Sequence, residues 1–497
     1  MICVSLGRTR HKMVIAEHEA LAKRGAELVE LRLDWIARTP ELSRLLTNRP
    51  TPVIVTIRRP ADGGRWRGPE EDRQTLLRQA IVSGVEYVDL EEDAAEKIRR
   101  YGKTKRIISF HDFEGTPDNL EEIHAKLASK DADIVKIVTT AHKPTDNVRL
   151  LKLAQNAKVP TIAFCMGELG LISRILCGRF GSPFTYTTFS ADRVLAPGQI
   201  VFDQMKSLYR FDQINAQTKI FGVLGDPIAH SYSPLIHNSA FQHDGLNAVY
   251  VPMRVPADQL QPTLKAYKEL GVSGYSVTIP HKEKVLDAAQ YRDPIAEEVG
   301  AANTLFEDSR QSWHATNTDY DAALASIRAG LALKGESDLS GKRCLLLGAG
   351  GAARAIGLGL MRAGAALTVA NRSRQRGLAL AEELGCQFTS WENRGAAYAD
   401  ILINCTPVGM SPNVNETPFA DNWMREGMVV FDTIYNPENT LLLKEARERM
   451  CHTVSGIEMF VHQAAAQYQH FTGQTAPVDV MRDALRRGIS AAKLAPA

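Results

Sequence analysis

Residues 219–233 read KIFGVLGDPIAHSYS, and the chain begins anew there. Ile220 to Leu224 make an apolar run of strand type that rises out of a polar stretch. The run breaks at Gly225 and turns through Asp226-Pro227. His230, Ser231 and Ser233 follow, placing hydroxyls ahead of an expected helix. A first strand, a tight turn and a helix start are how a domain opens. The residues before this stretch then form one closed unit and those after it another. The polar run Asp212 to Gln217 is the expected linker, and few core contacts are expected to cross it.

The totals bound what the two parts do. A chain of 497 residues suggests about three domains at ~100–200 residues each. A net charge of +2 gives no reason to expect nucleic acid or an anionic membrane as partner. The seven cysteines (Cys3, Cys165, Cys177, Cys344, Cys386, Cys405, Cys451) are odd in number and form no CxxC pair or zinc spacing. Reduced thiols of the cytoplasm and no metal are expected. The first apolar run, Ile2–Leu6, reads as a strand without a basic-then-apolar pattern before it, so no leader is expected. The longest apolar region, Leu345 to Ala370, is interrupted by Arg354 and Arg362, so no membrane span is expected.

Before the junction, eight short β-rich runs alternate with helical patterns. The runs are 2–6, 28–33, 53–57, 87–90, 106–110, 134–138, 161–166 and 184–189, and a last helix is expected over 198–209. Eight such alternations within residues 1–214 predict a (β/α)8 barrel, whose chemistry sits at the C-terminal strand ends. Those ends are polar: Glu30 to Asp34, Arg58 with Asp62-Gly63-Gly64, Asp89 and Glu91, His111-Asp112.

Lys136 stands in the middle of the sixth run, between Ile134-Val135 and Ile137-Val138. If its face is the barrel interior, burial favours a neutral amine that can attack a ketone and form a Schiff base. The alternatives are a lysine reaching the barrel rim, or one paired with Glu30 or Glu91 for structure alone. His111, at the end of the adjacent strand, is the residue type for moving a proton beside such an adduct. Arg32, Arg58 and Arg174 offer bidentate docking to a carboxylate.

The segments ELRLD, TIR, SFHDF, DIVKIV, LISR and APGQ, in that order, resemble the type I 3-dehydroquinate dehydratase family across the whole first half. The resemblance implies that Lys136 forms the Schiff base with the ketone of 3-dehydroquinate. His111 would take the adjacent proton and then protonate the departing hydroxyl. Glu30, Arg32, Arg58, Arg174 and Gln199 would hold the substrate, with Asp62 beside them. Two positions depart from the family pattern. Asp62 stands where a glutamate is usual, which predicts a looser contact with His111. Leu195 stands where a serine often precedes APGQ, which removes a side-chain donor from the closing loop.

After the junction, polar residues end apolar segments at Thr278, Lys282, Asn303 and Asp319, where an open α/β sheet places its ligands. Lys282 and Asp319 are a candidate ion pair beside a reacting oxygen. Lys282 could equally be a surface lysine at a helix start, and Asp319 the N-cap of a helix over 320–327. Residues 343–353, RCLLLGAGGAA, place Gly348, Gly350, Gly351, Ala352 and Ala353 between a strand and a helix, the context a dinucleotide turn requires. The next strand ends in Asn371-Arg372-Ser373, with Arg374 and Arg376 behind it, and no acid. Arginines at that point accommodate a 2′-phosphate, so NADP is the expected cofactor; the alternative is a solvated basic loop.

GDPIAHSYSP, SVTIPHKE, GAANT, NTD, GAGGAARA, NRS, NCTPVGM and MFVHQAA together resemble the shikimate dehydrogenase family. The resemblance implies a shikimate-binding lobe over 218–322 completed by 452–497, and an NADP-binding Rossmann domain over 323–451. It implies that Ser231, Ser233, Thr278, Asn303, Tyr435 and Gln463 contact shikimate, with Lys282 and Asp319 catalytic. The halves together resemble bifunctional dehydratase–dehydrogenases of aromatic amino-acid biosynthesis. Two alternatives stand beside this: a regulator that senses the same metabolites without turnover, and a second half that oxidises quinate.

Overall fold

The computed structural model describes residues 1–229 and 231–494; His230 of the opening stretch and residues 495–497 of the expected closing lobe lie outside them. Contacts divide the chain into two compact units. One comprises Met1–Gly222, Asp226–Ala229 and Asn247–Val272; the other comprises Val223–Gly225, His230–Leu246 and Ser273–Ala497.

In the first unit the eight expected strands are present. They are β1 (Ile2–Leu6), β2 (Leu28–Arg32), β3 (Val53–Thr56), β4 (Tyr87–Glu91), β5 (Lys105–His111), β6 (Ile134–Thr140), β7 (Thr161–Met166) and β8 (Thr185–Thr188). Both faces of each are almost wholly buried, which is why the runs read as continuously apolar rather than alternating. The strands pair in parallel in the order β7-β6-β5-β4-β3-β2-β1-β8. The barrel is therefore nearly closed: among the described residues no ladder joins β7 to β8. The last helix is shorter than 198–209: helical backbone runs over 202–208, its last five residues, Gln204–Leu208, as π-helix. Gly198 explains this. Its φ is +74°, and a Cβ there would lie 2.6 Å from the Gly167 carbonyl oxygen, so the residue caps a loop instead of starting a helix.

The strand β9 (Lys219–Gly225) carries the chain from the first unit into the second. The strand β10 (Ala248–Arg254) and the helix Leu260–Lys268 then group with the barrel. Leu260, Leu264 and Tyr267 recur at helical spacing and are buried, and their helix packs on Thr145–Asn156. An apolar stripe needs a partner surface, and the barrel's outer helix Thr145–Asn156 provides part of it.

The second unit holds two sheets. In the mixed one, β11 (Val272–Val277), β12 (Tyr291–Arg292), β13 (Thr304–Glu307) and β14 (Trp313–Thr316) are joined by an antiparallel β11–β13 pair, an antiparallel β13–β14 pair and a parallel β12–β14 pair. The other comprises β15 (Arg343–Leu347), β16 (Ala366–Asn371), β17 (Gln387–Ser390), β18 (Ile401–Asn404), β19 (Val429–Asp432) and β20 (His452–Val454). All its pairings are parallel, in the order β17-β16-β15-β18-β19-β20, the doubly wound dinucleotide-binding arrangement. Strand periodicity places Leu346 in the core on one side of this sheet and Leu345 and Leu347 in the core on the other.

Candidate active sites

The strand register builds the first site. Glu91, Ser109 and Lys136 lie opposite one another on β4, β5 and β6. All eight barrel residues expected at a site, Glu30, Arg32, Arg58, Asp62, His111, Lys136, Arg174 and Gln199, line one cavity. Lys136 is 4% exposed. Its ammonium donates to Asp89 Oδ2 at 3.0 Å and lies 4.0 Å over the Tyr186 ring. It is therefore paired, and with Asp89 rather than with Glu30 or Glu91. Glu30 is occupied by the Ser5 and Thr56 hydroxyls at 2.5 and 2.8 Å. Glu91 is shared between Arg58 at 3.3 Å and Arg73 at 2.7 Å.

The three arginines differ in how much charge they have left to offer. Arg32 is held by both oxygens of Asp34 at 3.0 and 2.9 Å. Arg58 donates to Asp89 at 2.6 Å and to the Ser109 hydroxyl at 3.1 Å. Arg174 makes no ion pair among the described residues. It is 2% exposed, lies 4.3 Å over the Phe164 ring of β7, and donates to the Tyr186 carbonyl of β8 at 3.2 Å. It thus enters the cavity from an outer helix through the seam that has no ladder. Burial pushes its guanidinium down to about 10. Burial also raises Asp89, but Arg58 and Lys136 outweigh it and hold the carboxyl well below the usual range. Burial, then Arg58 and Lys136, keep His111 well below an ordinary histidine. Three buried polar atoms at this cavity have no hydrogen-bond partner among the described residues: His111 Nδ1, Arg174 Nε and the Tyr186 hydroxyl.

Both departures from the family pattern are visible. Asp62 accepts from Arg59 at 2.8 Å, and Arg59 also holds Asp93. His111 stacks on Phe113 instead, with centroids 6.1 Å apart. Leu195 lines the cavity, and its backbone N–H donates to Gln199 Oε1 at 2.8 Å. Gln199 therefore fastens its own loop.

In the second unit, Lys282 donates to Asp319 Oδ2 at 2.6 Å, with side chains 20% and 10% exposed. Asp319 is not the N-cap of its helix. The helix is Thr318–Ala332, and the Asn317 side chain caps it by accepting from the Asp319 N–H at 3.1 Å. The carboxylate is thereby free to face Lys282. Asn303 bonds Thr318 Oγ1 at 3.0 Å and Gln463 Oε1 at 3.4 Å, while Ala302 N–H donates to the Lys282 carbonyl at 2.7 Å. Lys282, Asn303, Asp319 and Gln463 thus belong to one bonded cluster. Tyr435 packs on Phe460 at 4.2 Å and edge-on to Tyr232 at 6.2 Å, between Ser231 and Ser233 in the chain. Ser231 Oγ accepts from the Ser233 N–H at 3.3 Å. The Thr278 N–H donates to the Leu224 carbonyl at 2.9 Å.

The glycine turn fits a dinucleotide. Gly348 has φ +116°, and a Cβ there would sit 3.0 Å from the Cys405 carbonyl oxygen. A Cβ on Gly350 would meet nothing within 4 Å, so the backbone ahead of the helix Gly351–Arg362 is open to an incoming group. Lys282 Cδ lies 3.4 Å from the Cβ position of Gly351, which sets the lysine beside the turn. Asn371 Nδ2 bonds the Ser373 carbonyl at 2.8 Å. Arg372, Arg374 and Arg376 behind it are exposed and make no ion pair among the described residues, leaving three cations for a 2′-phosphate.

Comparison with known proteins finds a family for each half of the chain. The Type I 3-dehydroquinase family matches residues 2–216. The Shikimate dehydrogenase substrate binding domain matches 223–305, Shikimate / quinate 5-dehydrogenase 330–440, and the Shikimate 5'-dehydrogenase C-terminal domain 456–486. A bifunctional 3-dehydroquinate dehydratase/shikimate dehydrogenase of Arabidopsis thaliana, described as chloroplastic, is 38% identical over 492 residues, covering 94% of this chain and 81% of that one. The chain belongs to this bifunctional dehydratase/dehydrogenase family.

Its dehydrogenase half has relatives that stand alone. The NADP(+) shikimate dehydrogenase of Moorella thermoacetica is 39% identical over 57% of this chain and 98% of its own. A solved shikimate dehydrogenase in complex with NADP+ matches with a TM-score of 0.52 and 35% identity, over 56% of this chain and 97% of that one. Some residues of the two sites escaped sequence reasoning. Asp89 was visible as a strand end, two positions from Glu91 on the same face, but not as the partner of Lys136. Gln467, which bonds Ser276 Oγ at 2.6 Å and the Asn303 carbonyl at 3.2 Å, lies one helical turn beyond Gln463. That spacing was the available signal.

Proposed function

We propose the following division of labour within this bifunctional 3-dehydroquinate dehydratase and NADP-dependent shikimate dehydrogenase, with the barrel spanning about residues 1–214 and the two dehydrogenase domains the rest. In the barrel, Asp89 fixes the Lys136 nitrogen; its ammonium gives up a proton to solvent as substrate enters, the free amine condenses with the ketone of 3-dehydroquinate with loss of water, and water later hydrolyses the iminium to release the product and the lysine. His111, neutral in its buried seat, takes the proton from the carbon beside the iminium and returns it to the departing hydroxyl. Arg174 meets the substrate carboxylate, and Glu30, Arg32, Arg58, Asp62 and Gln199 shape the rest of the pocket. The observation that carries this reading is the trio of unpartnered polar atoms around Lys136. Buried groups of that kind are costly unless a ligand satisfies them.

In the second unit, Lys282, aimed by Asp319, gives a proton to the ketone oxygen of 3-dehydroshikimate as charge develops there. Ser231, Ser233, Thr278, Asn303, Tyr435 and Gln463 hold the ring. Gly348, Gly350, Gly351 and Ala352 would receive the cofactor's pyrophosphate, and Asn371, Arg372, Ser373 and Arg376 its phosphorylated ribose. Bound NADPH supplies the hydride. No helix among the described residues is long and apolar enough to cross a membrane. Seven unpaired cysteines suit a reducing compartment, and we assign the cytoplasm.

The test uses the full chain. With 3-dehydroquinate and NADPH, shikimate should accumulate as NADPH is consumed. Borohydride added with 3-dehydroquinate should leave an adduct on the peptide bearing Lys136. Lys136→Ala should abolish dehydration and still reduce 3-dehydroshikimate. An unlabelled peptide, or an active Lys136→Ala enzyme, would rule out the Schiff base.

A further inference from the structure

Arg254, the last residue of β10, holds two carboxylates at once. Its Nη1 lies 2.6 Å from Glu168 Oε2 and its Nε 2.8 Å from Asp226 Oδ1. All three residues belong to the barrel's compact unit, although Asp226 and Arg254 lie beyond the junction in sequence. A guanidinium can do this because its donors point in a fixed fork, which an ammonium lacks.

Each carboxylate stands at the root of a functional loop. Glu168 follows Gly167 at the end of β7. The Gly167 N–H donates to the Pro197 carbonyl at 3.3 Å, and Gly198 packs directly against Gly167. Pro197 lines the barrel cavity together with Leu195 and Gln199. On its other side Glu168 is anchored through the Leu169 carbonyl, which accepts from Asn147 Nδ2 at 2.8 Å. Asp226 begins the turn that leads along the chain to Ser231 and Ser233. One cation therefore fastens the foot of the loop over the dehydratase cavity and the root of the segment assigned to shikimate.

We propose that Arg254 is a positioning residue for both reactions: through Glu168 it sets the loop 195–199 over the dehydratase cavity, and through Asp226 it sets the shikimate-binding segment. The proposal rests on the residue roles assigned above. Arg254 touches neither substrate, so its effect falls on KM more than on kcat. Its side chain is 38% exposed, which keeps the effect in the range of partly screened ion pairs, about 1.5- to 5-fold.

The experiment measures KM and kcat of the full-length enzyme for 3-dehydroquinate, and for shikimate with NADP+, at low and high salt. Arg254→Ala should raise both KM values about 1.5- to 5-fold at low salt with each kcat nearly unchanged. Added salt should move the wild type toward the variant and leave the variant where it is. Glu168→Gln should raise only the dehydratase KM, and Asp226→Asn only the shikimate KM. The exchange Glu168→Arg with Arg254→Glu should restore the dehydratase KM but not the shikimate KM, because Asp226 then faces a carboxylate. If Arg254→Ala fails to fold, Arg254→Lys serves, since it keeps the charge and loses the fork; at least one KM should rise. Wild-type KM values in the variant that folds, or an equal rise of both KM values in Glu168→Gln and Asp226→Asn, would overturn the proposal. A wild type without dehydratase turnover would instead overturn the functional reading beneath it.

Discussion

Charges alternate in sign through the barrel interior: Lys136, Asp89, Arg58, Glu91, Arg73. Buried ions are tolerated only when each is paired and hydrogen-bonded, and this chain of contacts satisfies that condition; Arg174, outside it, has no charged partner among the described residues. Lys136 was legible because a lysine flanked by Ile and Val on both sides is carried into the interior with them. Its partner was not legible. Period-two alternation sends Glu30, Asp89 and Glu91 all inward, and which one meets the ammonium depends on strand stagger, which no single strand encodes. His111 gives a prediction at this scale. Burial and the nearby cations depress its folded pKa well below 6.5, so it is neutral throughout the ordinary histidine range. Dehydratase kcat/KM should therefore stay flat from about pH 8 to about pH 6 and fall only in more acid solution. The stability consequence has a definite sign. The unfolded chain takes up a proton near pH 6.5 that the native chain resists, so this residue's contribution is intact above that value and is lost as pH falls below it. Rate profiles, together with urea midpoints at about pH 7.5 and 5.5 for wild type and His111→Gln, check both statements. A single acid limb centred near 6.5 would contradict them.

Among the elements, the helix Thr318–Ala332 shows how a cap can serve chemistry. Asn317 takes the Asp319 N–H, and its amide donates to the Ala301 carbonyl at 2.9 Å. The cap thus joins the first turn of the helix to the segment that carries Asn303. Asp319 had been a candidate for that cap. Sequence alone separates Asn317 from Asp319 poorly, because both residue types cap well. Asn317→Ala should lower stability by about 1 kcal/mol. It should also loosen the turn that presents Asp319, cutting dehydrogenase kcat several-fold while leaving dehydration unchanged. Chemical denaturation and separate assays of the two reactions decide the matter; an unaltered dehydrogenase kcat would reduce the cap to a purely structural one. The glycine turn, by contrast, was fully legible, because strand, turn and helix each carry an independent signal. The helix expected over 198–209 was not, because its defect is a close approach between Gly198 and a residue 31 positions away in sequence.

At the scale of the whole molecule, the restart at residue 219 was legible and the grouping of 247–272 with the barrel was not. Strand and helix patterns say that a segment is amphipathic, not which surface it will cover. The grouping leads to a prediction about fragments. Leu260, Leu264 and Tyr267 are buried side chains worth about 1.5–3 kcal/mol each as an upper estimate, and their helix packs on Thr145–Asn156, which a fragment ending at residue 216 would leave uncovered on that side. Fragment 1–216 should therefore unfold at lower urea than fragment 1–272 and bind an apolar dye that the longer fragment does not. Equal midpoints and no dye binding would mean that the barrel stands without the added segment. A second feature at this scale has a mechanical meaning. With no ladder between β7 and β8 among the described residues, the barrel is a rolled ribbon whose two facing edges meet through side chains: the Arg174 guanidinium lies over Phe164 and bonds the Tyr186 carbonyl, and the Phe164 and Tyr186 rings are 6.3 Å apart. An anion seated on that guanidinium would be gripped from both edges, so the ligand acts as the missing stitch. Substrate binding should then tighten the cylinder itself, and amide protons along the facing edges of β7 and β8 should report it by exchanging more slowly.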